Sequence, residues 1–298
     1  MTARAFVVAN PVAGGGRTRR LWPRLRDRLA HLGLAFEFAE TSGPGSATTL
    51  ARQAVAGGWP LVVAVGGDGT VNEVVNGLVD PLEGPPATLG VVVTGRGRDI
   101  CRNLRVATDP ETAARRLVEG EDARVDLGVA EWPGHRRYFV NAAGIGFDAT
   151  VAERARVGGG SGTLPYLLAV LSAVRAHRAA PASVALDDGR TWTGPMTAAV
   201  VANGAHYGGG MKIAPAADPA DGRLEVIVVG DLGRLELLRW LPAVYRGTHL
   251  ANPRVTSRAA RVVAIEAPVP LPMHLDGEPV GETPVRLAVC PGALRLRR

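Results

Sequence analysis

The stretch Val63–Leu78, "VAVGGDGTVNEVVNGL", decides the fold. The strand-length apolar run Leu61–Val65 ends in Gly66, Gly67 and Gly69, and a helix-compatible segment follows from Val71 to Leu78. Glycines at such a turn permit positive φ and close backbone approach. The exposed N–H groups and the positive end of the next helix can then close on a phosphate. Thr70 and Asn72 add a hydroxyl and an amide where the helix begins. Asp68 puts a carboxylate into the same turn, which opposes phosphate unless a divalent cation or its water lies between them. Mg²⁺ binds in that manner, through one or two carboxylates, waters and substrate phosphates. The alternative is an ordinary strand–helix turn with Asp68 as a helix cap.

The same strand–loop–helix unit repeats on either side. "RAFVVAN" reads as a first strand, followed by the loop "PVAGGG" and a helix from about Arg17 to Leu32. "LAFEFAE" is a second strand with a helix near Ala47–Ala56, and "ATLGVVVTG" is a fourth strand leading to a short helical segment at Asp99–Leu104. Such repetition implies a parallel sheet with helices on both faces and ligands at the carboxyl ends of the strands. The glycine turns at Gly14–Gly16, Gly66–Gly69 and Gly95–Gly97 should therefore converge on one rim. Beyond Ala123 the pattern changes to short strands set apart by turn residues, among them "ARVDLGVAE", "GRLEVIVVG" and "TPVRLAVCPG". That is the texture of an antiparallel sandwich or barrel. Two helical stretches, "TLPYLLAVLSAVRAHR" and "LGRLELLRWLPAVYRG", interrupt it. The expected architecture is an α/β N-terminal domain over residues 1–123 and a C-terminal antiparallel β-sandwich domain over residues 124–298.

Composition narrows the function. The 298 residues carry a net charge of +6, almost all of it from arginine, with Lys212 the only lysine. A basic balance suits nucleic acid, anionic membrane surfaces or phosphorylated ligands, or else reflects an arginine-rich solvated surface. Aromatic residues make up only 5% and do not alternate with basic ones, so nucleic acid is not an expected partner. Cys101 and Cys290 have neither metal-ligand nor redox spacing, and the six histidines form no paired ligand motif. The N-terminus reads as a strand rather than a signal peptide, and no apolar run approaches the roughly 18–20 residues needed to span a bilayer. A cytoplasmic location is the corresponding expectation.

Taken in order, "NPVAGGG", "GGDGTVNEVVNGL", "VDLG", "NAAGIGFDA", "YGGGMKIAPAADPADGRLEV", "YRGTHLANPRV" and "HLDGEP" resemble the diacylglycerol kinase catalytic-domain family. That family includes bacterial lipid kinases and, more distantly, sphingosine kinases. The resemblance runs from Asn10 to about Pro291, although GGDG alone is shared with NAD kinases and phosphofructokinases. It implies that ATP phosphates are held by Asn10, Gly66, Gly67, Asp68, Gly69 and Thr70, with Thr41 an additional contact and Asn72 and Glu73 at the helix start. Asp126 of "VDLG" would lie near Mg–ATP. In "HLDGEP", Glu278 would accept the proton of the attacking hydroxyl, with Asp276 assisting it or oriented toward the metal. As a bare sequence, D-G-E-P also reads as a hairpin turn.

Further expectations follow from the resemblance. "ADPADGRL" would hold a structural Mg²⁺ through Asp221 and the backbones of Asp218 and Arg223, or else close as an Asx turn. Asp68 is the candidate ligand of the catalytic metal. Asp148 either caps a helix or faces the site, and the apolar stripe of "GTLPYLLAVLSAVRAHR" either belongs to the core or touches a membrane. The family's third loop, G-T-G-N-D-F-A-R, is here "GRGRDICRN", so Arg96 replaces the Thr and Arg98 the Asn. Arginine cannot accept a hydrogen bond, but two guanidiniums can clamp phosphate. The expected function is an ATP- and Mg²⁺-dependent lipid kinase that phosphorylates a hydroxyl of diacylglycerol or a related lipid. It would sit peripherally at an anionic inner membrane surface, with a homodimer left open. The alternatives are a kinase of a soluble alcohol such as NAD, and a catalytically weakened nucleotide- or lipid-binding regulator.

Overall fold

Four apolar runs build the sheet of the first unit: β1 (Arg4–Ala9), β2 (Ala35–Glu40), β3 (Leu61–Gly66) and β4 (Thr88–Val93). They pair in the order β2-β1-β3-β4, all parallel. Every residue of β3 and β4 is buried, as continuous Val/Leu runs covered on both faces require. The covering helices are α1 (Ala13–His31), α2 (Ser46–Ala56), α3 (Asp68–Val79), α4 (Asp99–Asn103) and α5 (Pro110–Glu119). Trp22, Leu25 and Leu29 of α1 and Ala113 and Leu117 of α5 pack on Val7, Val63, Val65 and Val92. On the other side α2 and α3 pack on each other closely, with no room for a side chain at Gly77. The helix α5 adds to the pattern read from the sequence, and its start is chemically marked. Asp109 Oδ1 accepts the Thr112 N–H at 2.8 Å, and Pro110 takes a first-turn position that needs no donor.

The computed structural model describes residues 4–79, 87–95, 98–157 and 163–298. The chain divides into Met1–Val125 with Gly292–Arg298, and Asp126–Pro291. Residues 292–298 group with the first unit, where Leu296 pairs in parallel with Leu89.

The second unit holds β5 (Asp122–Trp132, from Asp126 on), β6 (His135–Phe139), β7 (Ala142–Gly146), α6 (Phe147–Val157), α7 (Thr163–Ala176), β8 (Ala180–Leu186) and β9 (Thr191–Met196). It continues with β10 (Ala198–Ala202), β11 (Leu224–Val229), α8 (Arg234–Arg246), β12 (Val255–Ala260), β13 (Val262–Glu266), β14 (Pro272–Leu275), β15 (Glu278–Glu282) and β16 (Val285–Arg297, to Pro291). One sheet runs β12-β11-β10-β7-β14-β15, antiparallel throughout. The other contains β16-β13-β8-β9, with β5 and β6 branching from β16. Between them lies a core of Phe139, Ile145, Met196, Val201, Leu224, Met273, Leu275 and Leu287. Alternation along the strands gives the first sheet a second apolar face. Val201 and Val226 point into the sandwich, whereas Val200 and Ile227 join Tyr207, Met211 and Ile213 in a separate cluster on the far side. That outer face is where α6, α7 and α8 pack. Among the described residues, no helix is long and apolar enough to cross a membrane.

Candidate active site

In the first unit the glycine turns meet, as their positions after parallel strands require. Gly14, Gly15 and Gly16 have φ of 63°, 68° and 79°, a left-handed run open to glycine but strained for any other residue. A side chain at Gly14 would place its Cβ 2.6 Å from the Thr94 carbonyl oxygen, and one at Gly95 would sit 2.7 Å from Gly67 Cα. Backbone N–H groups of Thr94 and Gly95 donate to the Gly66 carbonyl at 2.9 and 3.1 Å. Asn10 Nδ2 donates to Thr70 Oγ1 at 3.0 Å, the hydroxyls of Thr18 and Thr94 share a 2.5 Å bond, and the Thr41 N–H donates to Ala9 O. Asn10, Thr41, Gly66, Gly67, Asp68, Gly69 and Thr70 therefore gather at the carboxyl ends of β1, β2 and β3. Helix α3 begins at Asp68, and the first N–H groups of a helix have no intrahelical acceptor. The combination is a set of glycine turns and a helix start rich in backbone donors, with the Asp68 carboxylate among them.

The neighbouring charges can be placed from Cys101. Its buried thiol is pushed up to about 12, first by burial and then by the negative charge of Asp68, with Arg98 opposing. Asp68 and Arg98 thus act on the same small region, and Arg102 pairs with Asp99 at 3.1 Å beside it. Arg96 lies outside the described residues. Two other expected nucleotide contacts do different work. The Glu73 carboxylate accepts the Ala47 N–H at 3.1 Å, which caps α2, whose own N-cap residue is Gly45 and has no side-chain acceptor. Asn72 is fully buried and accepts from Asn76 one turn later, so it stiffens α3 from inside.

In the second unit a hydrogen-bonded frame joins the acidic motifs. The turn between β6 and β7 presents three backbone N–H groups to Asp276. Val140 donates to Oδ2 at 2.7 Å, and Asn141 and Ala142 donate to Oδ1 at 2.8 and 3.0 Å. Asp276 has φ 50°, and its own N–H donates to Ala142 O. Buried Asn203 donates to the carbonyls of Val140 and Asp126 at 2.8 and 2.9 Å. Asp126 Oδ2 accepts the Gly222 N–H at 2.7 Å, so the loop after Asp218 is tied to "VDLG". Two residues past Asp276, Glu278 is half-exposed and paired with Arg137 of β6. Asp276 is thus a clasp that fixes the turn, and Glu278 is the carboxylate the turn displays.

His274 extends the frame. The Gly277 N–H donates to its Nδ1 at 3.1 Å, which leaves Nε2 to carry the hydrogen and donate to Asp148 Oδ2 at 2.7 Å. The Tyr207 hydroxyl donates to the same oxygen at 2.5 Å. Gly144 lies directly beneath, where any Cβ would fall on Asp148 Oδ2 and His274 Nε2. Sequence reasoning placed Asp148 as a cap or a site residue and passed over His274 and Tyr207. The only available signal was position, because His274 opens "HLDGEP" and Tyr207 opens "YGGGMKIAP". Asp148 and Tyr207 in turn line a cavity of about 110 Å³ between the outer sheet face and the helices. Its walls are Val200 and Val229 from the sheet, Val151 from α6, Val170 and Val174 from α7, and Leu237, Trp240, Leu241 and Val244 from α8. His249, also on the wall, bonds the Ile213 carbonyl through Nε2 at 2.9 Å, and burial holds its pKa below 6.5.

The chain matches the diacylglycerol kinase catalytic domain over residues 4–130, and the YegS C-terminal NAD kinase beta sandwich-like domain over residues 141–298. A diacylglycerol kinase of Mycobacterium tuberculosis (strain CDC 1551 / Oshkosh) is 30% identical, with 99% of this chain and 95% of that protein covered. The chain belongs to the diacylglycerol kinase family. A diacylglycerol kinase of Bacillus subtilis (strain 168) is 28% identical over 94% of this chain and 91% of its own length. A YegS-like lipid kinase of Chromohalobacter salexigens is 31% identical over 85% and 80%. A crystal structure of a diacylglycerol kinase from Bacillus anthracis str. Sterne shares the fold, with a TM-score of 0.77 at 23% identity, covering 99% of this chain and 96% of that one. As a member of the diacylglycerol kinase family the protein is a kinase, and kinases draw on ATP.

A metal can be tested against the residues present. In the loop after Ala217, Asp218 Oδ1 accepts the Ala220 N–H at 3.2 Å and Asp221 Oδ1 accepts the Arg223 N–H at 2.9 Å. These are Asx turns, and among the described residues no three His, Cys, Asp or Glu side chains gather around one point. Among the described residues, side chains alone therefore form no metal cage, which leaves open a site that draws on backbone carbonyls. Asp68, a carboxylate at the start of α3 beside the glycine turns, fits a different arrangement, in which Mg²⁺ would be held largely by a nucleotide.

Proposed function

We propose that this protein transfers the γ-phosphate of ATP to a hydroxyl of diacylglycerol or a related lipid, with Mg²⁺. One observation carries the reading. The turn that displays Glu278 is hydrogen-bonded through His274 to Asp148, and Asp148 is part of the wall of a largely apolar cavity. A lipid alcohol has that same form, a polar head on an apolar chain. The cavity walls would take acyl chain, and Asp148 and Tyr207 would meet the glycerol end. Glu278 would accept the hydroxyl proton as the oxygen attacks phosphorus, while Arg137 fixes its rotamer and Asp276 fixes its backbone. Phosphoryl transfer asks chiefly for positioning and charge neutralisation. The glycine loops of the first unit and the start of α3 would hold the phosphates, with Asp68 toward the nucleotide's Mg²⁺, which spreads the developing charge. Asp126, tied by Asn203 to the same frame, would keep the Asp218–Arg223 loop in place.

An NAD kinase reading draws on the NAD kinase-like description of the sandwich domain. The apolar cavity counts against it, since a dinucleotide needs polar partners along its length. The charge of Arg98 near Asp68 motivates a third reading, a regulator that binds nucleotide without turnover. The discriminating experiment is incubation with γ-labelled ATP and Mg²⁺ in the presence of diacylglycerol micelles, monoacylglycerol or NAD. Label in a lipid supports the proposal. Label in NAD alone, or ATP binding with no labelled acceptor, overturns it.

A further inference from the structure

The hairpin that carries Glu278 has the bonds its turn needs without His274. Asp276 and Gly277 have φ of 50° and 86°, and Leu275 pairs with Glu278. Strands β14 and β15 are therefore joined by a two-residue turn with both residues left-handed, the form that Asp-Gly favours. The bond that closes such a turn runs between its flanking residues and makes no use of the Gly277 N–H. Asp276 then ties the turn to residues 140–142. The bond from Gly277 to His274 is a third attachment, beyond what the hairpin requires. Met273 and Leu275 point into the sandwich core, so His274 between them faces the other side of the sheet, where α6 packs. The register slips beside it, pairing Met273 with Gly281 and His274 with Pro279 and leaving Val280 over. Bulges of this kind re-aim a side chain.

We infer that His274 is a positioning residue, which carries the state of Asp148 in the cavity wall to the turn that displays Glu278. The ring is 1% exposed and fixed at both nitrogens, by Gly277 on one and Asp148 on the other. Its partner in β7 is Gly144, where a Cβ would fall 2.3 Å from Nε2, and the Tyr207 ring lies 5.8 Å away. The imidazole is thus a strut with no room to swing. Asp148 is held through one oxygen only. Its Oδ2 accepts from both His274 and Tyr207, whereas Oδ1 accepts no hydrogen bond among the described residues. A hydroxyl in the cavity can donate to Oδ1 and fix the carboxylate plane. The carboxylate then fixes the imidazole, and the imidazole holds the Gly277 N–H next to Glu278. The link from cavity to turn stands on these bonds, and its effect on rate rests on the lipid-kinase reading.

Two substitutions divide the ring. His274→Asn keeps a short acceptor for Gly277 and cannot reach Asp148, whereas His274→Gln reaches Asp148 and gives up the turn. With dioctanoylglycerol as acceptor, each should lower kcat about tenfold or more, the scale of a small misplacement of a reacting group. KM for the lipid and the ATP dissociation constant should stay within about threefold. Hydrogen exchange gives a readout independent of turnover. Dioctanoylglycerol should slow exchange of the 272–282 segment in wild type and in neither variant. Melting within about 5 °C of wild type confirms the fold, and if one variant unfolds the other decides. Wild-type kcat in the folded variants, or a loss confined to KM, would overturn the proposal. So would a wild-type segment that the lipid leaves unprotected, or equal protection in wild type and variants. Protection that depends on His274, without transfer of label to lipid, leaves the strut standing and removes the kinase reading. Transfer by the wild type with kcat and exchange indifferent to His274 does the reverse.

Discussion

Replacing Asp276 by Asn separates a structural clasp from a catalytic group. Val140, Asn141 and Ala142 are all 3% exposed or less, and their N–H groups end on the two oxygens of this one side chain. Asparagine tolerates the left-handed backbone of Asp276, so the substitution probes the carboxylate and not φ. The amide offers one oxygen. Two donors can keep it as a neutral acceptor, and the third, Val140, then faces an NH₂ group. A bond to a charged acceptor contributes about 1.5–3 kcal/mol, so one lost bond and two weakened ones should cost about 3–4 kcal/mol. At a slope of about 2 kcal/mol/M, the urea midpoint of the second unit should fall by about 1.5–2 M. Tryptophan fluorescence can follow it, since Trp132, Trp192 and Trp240 lie in that unit. Glu278→Gln removes a half-exposed ion pair and should shift stability by less than about 1 kcal/mol. An Asp276→Asn protein that unfolds at the wild-type midpoint would refute the clasp.

Other expected outcomes concern the cradle, the cavity and pH. Gly95→Ala drives a Cβ into the backbone of Gly67, so ATP affinity measured by calorimetry should fall at least about tenfold while the second unit melts unchanged; undiminished affinity would show that the loops need not touch. Val200→Trp fills the cavity from the sheet side, so KM for long-chain diacylglycerol should rise with the ATP dissociation constant unaltered, and an unchanged KM would place the chain elsewhere. Burial holds the pKa of His249 and His177 below the ordinary 6.5, so the unfolded chain binds more protons than the folded one as pH drops through that value. Stability present above pH 6.5 should therefore be lost on acidification, and His249→Gln should flatten the melting-temperature profile between pH 7 and 5; a profile as steep as wild type would assign the loss to other groups.

Much of the fold was legible because two hydrophobic periods are written plainly in the chain. Continuous runs such as Leu61–Val65 mark strands covered on both faces, and the change to short strands and turns after Ala123 marks the sandwich. The glycine turns were legible for a related reason, since Gly14 and Gly95 occupy places where a Cβ meets backbone. What escaped depends on distant partners. Nothing local in "GTVNEVV" says that Glu73 reaches across to cap α2, or that Asn72 points inward. Asp276 and Glu278 look alike in D-G-E, and only the three N–H groups of residues 140–142 assign one to holding the turn. His274 and Tyr207 gain meaning through Asp148, which lies 126 and 59 residues away in the chain. The two helical stretches of the second unit were half legible. Their apolar content was evident in sequence, but which leucines face outward is decided by how α8 lies over the cavity.

The most direct measurement is single-turnover transfer from γ-labelled ATP to diacylglycerol in mixed micelles, run beside ATP binding, for wild type and Glu278→Gln. A lipid kinase with Glu278 as proton acceptor labels the lipid in wild type. It loses that label by about a hundredfold or more in the variant, with ATP affinity within about twofold. Equal lipid labelling by both proteins, or no lipid label from the wild type, would contradict it.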